Sequence, residues 1–210
     1  QSTLPVVEQV IKDAVFPQAE LDIHIRNKKQ KFLVNNQKVA IVARKRFTEL
    51  LFGSKHPYGI NVQETDFDAI SRTHLLNFYS GHYRAGNCKI IVSGKVNDSV
   101  ISLLDSHFGG NDWQEGKKII PKEVAVNTST EPKQLIFKED ALQSAIRIGK
   151  LLFNKTHPDF QSFQVLNTLL GGYFGSRLMS NIREDKGYTY GIGSGTASLQ
   201  HAGYFFISTE

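Results

Sequence analysis

The chain has 210 residues, 40% hydrophobic and 21% charged, with 17 Gly and 6 Pro. That is enough chain and apolar content to bury a core in one domain or two small ones, and it excludes a disordered or collagen-like polymer. The formal net charge of +5 invites a nucleic-acid reading, but the basic residues are dispersed. The densest run, RNKKQK at 26–31, falls on a predicted helix as a solvated face, so no nucleic-acid partner is expected.

The first element is a helix over 6–16, VVEQVIKDAVF, stopped by Pro17. Residues 18–53 read as one long helical stretch with Leu21, Ile25, Phe32, Val39, Val42, Phe47, Leu50 and Leu51 near one face. A kink is expected at Asn35-Asn36 and the stop at Gly53. SKHPYGINVQETD is a loop, because His-Pro and Tyr-Gly suit no regular element. Helix follows over 67–83. NCKIIVSG at 87–94 then reads as a buried strand, with Cys88 packed inside it and, as the single cysteine, unable to form an intramolecular disulfide. Asn97 or Asp98 caps a helix over 98–109.

Residues 109–133 are polar, punctuated by Gly and Pro, and lack a helical period, which predicts a linker. QLIFK (134–138) and SAIRIGKLLF (144–153) then alternate like strands. A helix is expected over 157–172, with Pro158 in its first turn and glycines at its end. A second helix, 176–187, stops at Gly187. YTYGIGSGTASL (188–199) and AGYFFIST (202–209) read as paired strands turning near Gln200-His201. These elements predict an α+β protein, long helices packed on a mostly antiparallel sheet. No apolar run approaches the ~20 residues of a membrane span, so no membrane partner is expected. The opening residues lack the basic start and apolar core of a signal peptide. The sequence also begins without Met and stops within a strand-like run, so both ends are expected to be cut from a longer protein.

Local catalytic motifs are missing. The seven histidines stand at 24, 56, 74, 82, 107, 157 and 201, so neither H-E-x-x-H nor H-x-x-E-H occurs. There is no G-x-S-x-G, and Ser176 in FGSRL reads as a helix cap. The glycines of LLGGYFG are not followed by G-K-[ST] and make no phosphate loop. Glu184 and Asp185 point in different directions around a helix and make a poor acid/base pair.

Several segments together carry a resemblance. They are the S-x-I-x-I-G strand at 144–149, a helix ending Leu170-Gly171-Gly172, Ser176-Arg177-Leu178, and the corner Arg183-Glu184 through Lys186-Gly187-Tyr188-Thr189-Tyr190. With LFGSKHPYG, ISRTHLLNFYSGHYRAGN and CKIIVSGKV upstream, the chain resembles the pitrilysin/insulinase superfamily of zinc metallopeptidases, mitochondrial processing peptidase included. The likeness implies a processing-peptidase-like half-domain. Residues 1–108 would close a first half, 109–133 would be the linker, and 134–210 would open the second half. In that family two homologous halves clamp a peptide. One carries H-x-x-E-H and a distant Glu as zinc ligands, and the other carries an Arg/Tyr pair that contacts the substrate backbone.

Arg183 and Tyr190 match that pair. The alternative is that Arg183 offsets a helix C-terminal dipole and Tyr190 packs in a sheet. Where the third zinc ligand would lie, this chain has Gln30 or Lys31, with Glu20 too early and Glu49 too late. The expectation is therefore a non-catalytic peptidase domain that binds no metal of its own. Arg183 and Tyr190 would bind an extended peptide substrate beside a homologous zinc-bearing subunit or half-domain. A structural or assembly module that keeps the fold without proteolysis is the competing expectation. The two segments are expected to join as one domain, helices 6–53 lying on the sheet of 144–152 and 188–208, or to exchange between two copies in a homodimer.

Overall fold

A computed structural model describes residues 3–110, 112–113, 116, 119–120, 122–131 and 133–210. The chain forms two compact units, each assembled from two stretches of sequence: Gln1–Gln30 with Gln63–Lys122, and Lys31–Val62 with Glu123–Glu210. The protein is α+β, and its sheet is three-stranded and antiparallel throughout.

The first unit is helical among its described residues. Helix α1 (Leu4–Lys12) packs on α6 (Asp98–Phe108). Asn97 caps α6 by accepting a hydrogen bond from the Val100 N–H at 3.2 Å. The ammonium of Lys12 is largely withdrawn from solvent. It donates to Glu8 at 2.8 Å, to Asp112 at 2.6 Å and to the His107 carbonyl at 2.6 Å. The other oxygen of Glu8 meets His107 Nδ1 at 2.6 Å. The single Trp113 is buried, and its indole N–H donates to the Tyr83 carbonyl at 3.2 Å.

The long stretch 18–53 divides. Helix α2 (Gln18–Asn36) ends where Asn35-Asn36 marked a weak point, Lys38 is extended, and α3 (Val39–Phe52) follows. Lys45 stitches the break, donating to Asn36 at 2.7 Å and lying 4.2 Å from the Phe32 ring centroid. The predicted helix 67–83 also divides, into α4 (Glu64–Ala69) and α5 (Arg72–His82). Ser71 ends the run because its hydroxyl accepts from the His74 N–H at 3.2 Å and starts a new helix.

In the second unit β3 (Gly203–Thr209) is central, flanked by β1 (Ile146–Leu152) and β2 (Ile192–Ser198). The expected turn at Gln200-His201 is present, closed by Leu199 N–H donating to the Ala202 carbonyl at 2.8 Å. Helix α3 lies on one face of the sheet. Its Phe47, Leu51 and Phe52 pack with Tyr58, Leu151, Leu199, Ala202, Tyr204 and Phe206. The approach is close because Gly149 has no side chain: a Cβ there would stand 2.7 Å from Phe47 Cζ. The end of α3 is capped from a distance. Asn127 N–H, the Thr128 hydroxyl and Ser129 N–H donate to the carbonyls of Phe52, Leu51 and Leu50 at 3.2, 2.9 and 2.8 Å, satisfying acceptors that a helix end leaves unpaired. His56, buried and stacked on Phe52 at 5.3 Å, takes the Tyr58 N–H on Nδ1 and so donates from Nε2 to the Val124 carbonyl.

Four expectations need correction. Residues 87–94 form no strand and Cys88 is exposed, as is Ile91 at 91%. The apolar run reads as a strand, but a strand needs a neighbour for its backbone groups, and this unit contains none among its described residues. The run 134–138 likewise forms no strand, leaving Leu135 and Phe137 exposed. Of the helices expected on the sheet, α3 lies there, whereas α1 packs on α6. Finally, β2 begins at Ile192, so Tyr188 and Tyr190 precede the strand. The predicted linker 109–133 lies partly outside the described residues, and its described part is neither helix nor strand.

Phe52 has no exposed surface, so Phe52→Ala should cost about 3–5 kcal/mol, read as a lower urea midpoint with an unchanged slope. In the first unit, the hydrogen bonds from Lys12 and His107 hold the Glu8 carboxyl below its ordinary value, and the bond from Lys12 does the same for Asp112. Desolvation pulls the Lys12 pKa down, but its bonds to Asp112 and Glu8 reverse this and leave it raised. Carboxyls with lowered pKa values stabilise the fold fully above about pH 4 and lose that contribution as pH falls through the folded-state values. Acid unfolding followed by Trp113 fluorescence should therefore be steeper in the native chain than in Glu8→Gln, which should be less stable at neutral pH.

Candidate substrate-binding corner

Helix α7 (Phe160–Asn167) lies on the sheet face opposite α3. Phe163 meets the Phe205 ring at 5.6 Å and Gln164 donates to the Thr196 hydroxyl at 2.7 Å. The predicted helix 157–172 does not end there. It widens into a π-helical turn, Thr168–Gly172, and the reason is steric. Gly171 sits against Ser194 of β2, where a Cβ would stand 2.5 Å from the backbone nitrogen and 2.6 Å from the hydroxyl. Ser194 in turn donates to the Asn167 carbonyl at 3.3 Å. Ser176 occupies the residue before the next helix, but its buried hydroxyl has no hydrogen-bond partner, so backbone bonds rather than a side-chain cap close that turn.

The helix that follows is also π-helical over Met179–Asp185. Such wide turns leave a bulge in the backbone and recur at functional sites. It ends at Gly187, whose φ of +64° is left-handed. Gly187 N–H donates to the Arg183 carbonyl and Tyr188 N–H to the Ile182 carbonyl, both at 3.1 Å. This is the glycine-terminated closure of a helix, one residue wider than usual. Thr189 then anchors the corner: its hydroxyl accepts from the Gly191 N–H at 3.2 Å and from the Thr209 hydroxyl at 2.8 Å, and also bonds the Glu210 carbonyl. With Thr189 held, its two neighbours face outward, Tyr188 at 78% and Tyr190 at 97% exposure.

Arg183 is half-buried in the last turn of its helix, its guanidinium carbon 4.8 Å from the Phe174 ring centroid. It forms no ion pair among the described residues. Glu184 and Asp185 are exposed and likewise unpaired. Tyr190 is too exposed to be packed in the sheet. The sequence assigns no role to Phe174, or to Thr189 between the two tyrosines. Neither belongs to a periodic pattern, and their roles emerge only when loop and strand ends meet. No group of three or more His, Cys, Asp or Glu among the described residues is arranged to hold a metal ion. Gln30 and Lys31 are exposed, and Glu49 pairs with Arg46 at 2.8 Å.

Residues 69–210 match the family model described as the peptidase M16 inactive domain. The chain belongs to that family. An uncharacterized zinc protease of Mycobacterium leprae is 30% identical over 149 residues, covering 70% of this chain and 33% of the relative. A Bacillus subtilis protein named "Probable inactive metalloprotease YmfF" is 28% identical over 138 residues, covering 64% of this chain and 32% of its own length. The crystal structure of a peptidase M16 inactive domain from Pseudomonas fluorescens superposes with a TM-score of 0.82 and 25% identity, covering 99% of this chain and 50% of that one. A protease from Helicobacter pylori shares the fold, with a TM-score of 0.81 at 19% identity over 99% of this chain and 51% of its own. The matched stretch is thus about a third of the curated relatives and half of the solved chains. The M16 domain matched here is of the inactive kind, and the curated relatives named above carry zinc-protease or inactive-metalloprotease names.

A side chain at position 187 would adopt a left-handed backbone in open space. Gly187→Ala should cost about 1–2 kcal/mol, and Gly187→Asn less, both measured by urea unfolding.

Proposed function

We propose that this inactive M16 domain binds the backbone of an extended peptide through Arg183 and Tyr190, and so completes the site of a homologous zinc-bearing half or subunit. One observation carries the reading. At a corner fixed by Gly187 and Thr189, the Arg183 guanidinium is steadied by an aromatic face and not consumed by a carboxylate, while the Tyr190 hydroxyl stands in solvent. Stacking leaves the in-plane N–H groups of Arg183 free, and a phenol adds a further donor. Donors of these two types suit a peptide carbonyl on which negative charge develops during hydrolysis. The zinc would belong to the partner, because no metal-ligating group is found among this chain's described residues. In the same reading residues 1–108 close one half-domain and 134–210 open the next, with 109–133 between them.

The competing reading is a structural or assembly module in which Arg183 only offsets the helix dipole; its place in the last helical turn favours that. Peptide turnover by the reassembled peptidase separates the two. Arg183→Ala and Tyr190→Phe should each lower turnover, by about 10²-fold for the loss of one such donor, with thermal unfolding unchanged for Tyr190→Phe. Full turnover in both variants would refute the proposal, and a loss of stability alone in Arg183→Ala would favour the structural module.

A further inference from the structure

A second arginine in the sheet unit is held in the same unspent state, away from the Gly187 corner. Arg147 of β1 points to the α3 face, in line with Gly149 and Leu151. Its guanidinium carbon lies 4.4 Å from the Phe206 ring centroid and 5.6 Å from that of Phe47. Two aromatic rings thus grip the cation, and stacking of this kind uses its faces and leaves its edge donors in plane. Nε is buried and has no hydrogen-bond partner. Arg44, which is exposed, stands one helical turn before Phe47 on α3, the ring that Arg147 touches. Neither arginine has an ion-pair partner among the described residues, and the acid on α3, Glu49, is taken by Arg46 at 2.8 Å.

Burial lowers the Arg147 pKa against the opposing pull of Tyr204, and the Arg44 charge adds to burial, yet an arginine stays protonated under any working condition. The fold therefore keeps two like charges on one face, one of them pinned, with no ion-pair partner for either among the described residues. A partly desolvated cation of this kind gains most from an anion that brings two acceptors in one plane.

We propose that the α3–β1 face is a carboxylate-binding site, in which the terminal N–H groups of Arg147 hold the two oxygens and Arg44 closes over them. The ligand is a carboxylate on a peptide, either an acidic side chain or a free C-terminus. The site is independent of Arg183 and Tyr190. It would give the domain a second hold on acidic peptides, one that supplies affinity rather than chemistry.

The test follows the arginine Nε–Hε resonances of the ¹⁵N-labelled chain by NMR at low ionic strength, where surface charge is least screened. The Arg147 signal is assigned by its loss in Arg147→Lys. The probes are acetyl-Gly-Glu-Gly-amide, its Gln counterpart, acetyl-Gly-Gly-Gly with a free carboxylate, and inorganic phosphate. A saturable shift of the Arg147 signal with either carboxylate peptide, absent with the Gln peptide, is expected, and the stronger of the two identifies the source. Arg44→Gln, an exposed change that leaves the core intact, should weaken that binding about threefold to fivefold, while the Arg183 signal stays still. If Arg147→Lys fails to fold, Arg44→Gln alone carries the comparison. An equal shift with the Gln peptide, a response to phosphate but to neither carboxylate, or unchanged binding in Arg44→Gln would each overturn the proposal.

Discussion

The sheet unit is organised around the aromatic wedge that α3 drives against β3. Phe47 and Phe52 meet Tyr204 at 6.0 Å each, and Phe52 is closed off on its other side by His56 and Tyr58. This contact joins residues near 50 to residues near 205, which no local interaction could do. Offset and edge-on ring pairs of this kind add about 0.5–1.5 kcal/mol beyond the area they bury. The wedge fits because Gly149 and Gly195, on either side of Phe206 in the register, leave the sheet surface low enough for rings to lie on it. The backbone donors of residues 127–129 then close the helix end that the wedge has brought to the sheet.

What could be read from the sequence follows this division between local and distant causes. Gly53, Asn97, Gly187 and the Gln200-His201 turn act through their own backbone or a neighbour's, and each behaves as its residue type demands. The runs at 87–94 and 134–138 have the apolar character of strands, but strand formation is decided by a partner elsewhere, which composition cannot supply. Ser71 shows a subtler failure. Within a helical pattern it looked tolerable, yet its capping geometry was worth more than continuity. At the corner, the sequence marked Arg183 and Tyr190 but not the Phe174 ring or the Thr189 anchor, because both depend on contacts made after the chain turns back.

The two π-helical stretches share a cause with the corner that follows them. Gly171 has to lie against β2 where no side chain fits, and Gly187 has to admit a left-handed turn that side chains rarely adopt, so the backbone between them is constrained at both ends. A regular α-helix would present its side chains on a fixed spiral. The widened turns shift that spiral locally and set where Arg183 falls relative to Phe174.

The central place of β3 also sets an order of assembly. Both β1 and β2 hydrogen-bond to this strand and not to each other, and it is the last of the three to emerge during synthesis. The β2–β3 hairpin can close at once across its short turn, whereas β1 must wait through more than forty residues, and the wedge of α3 through some hundred and fifty. Pairings of such separation cost loop entropy before they return contact energy and slow folding accordingly. Until Gly203–Thr209 is made, Phe47 and Phe52 lack the Tyr204 and Phe206 rings they settle on, and α3 carries that apolar face uncovered while the rest of the chain is synthesised.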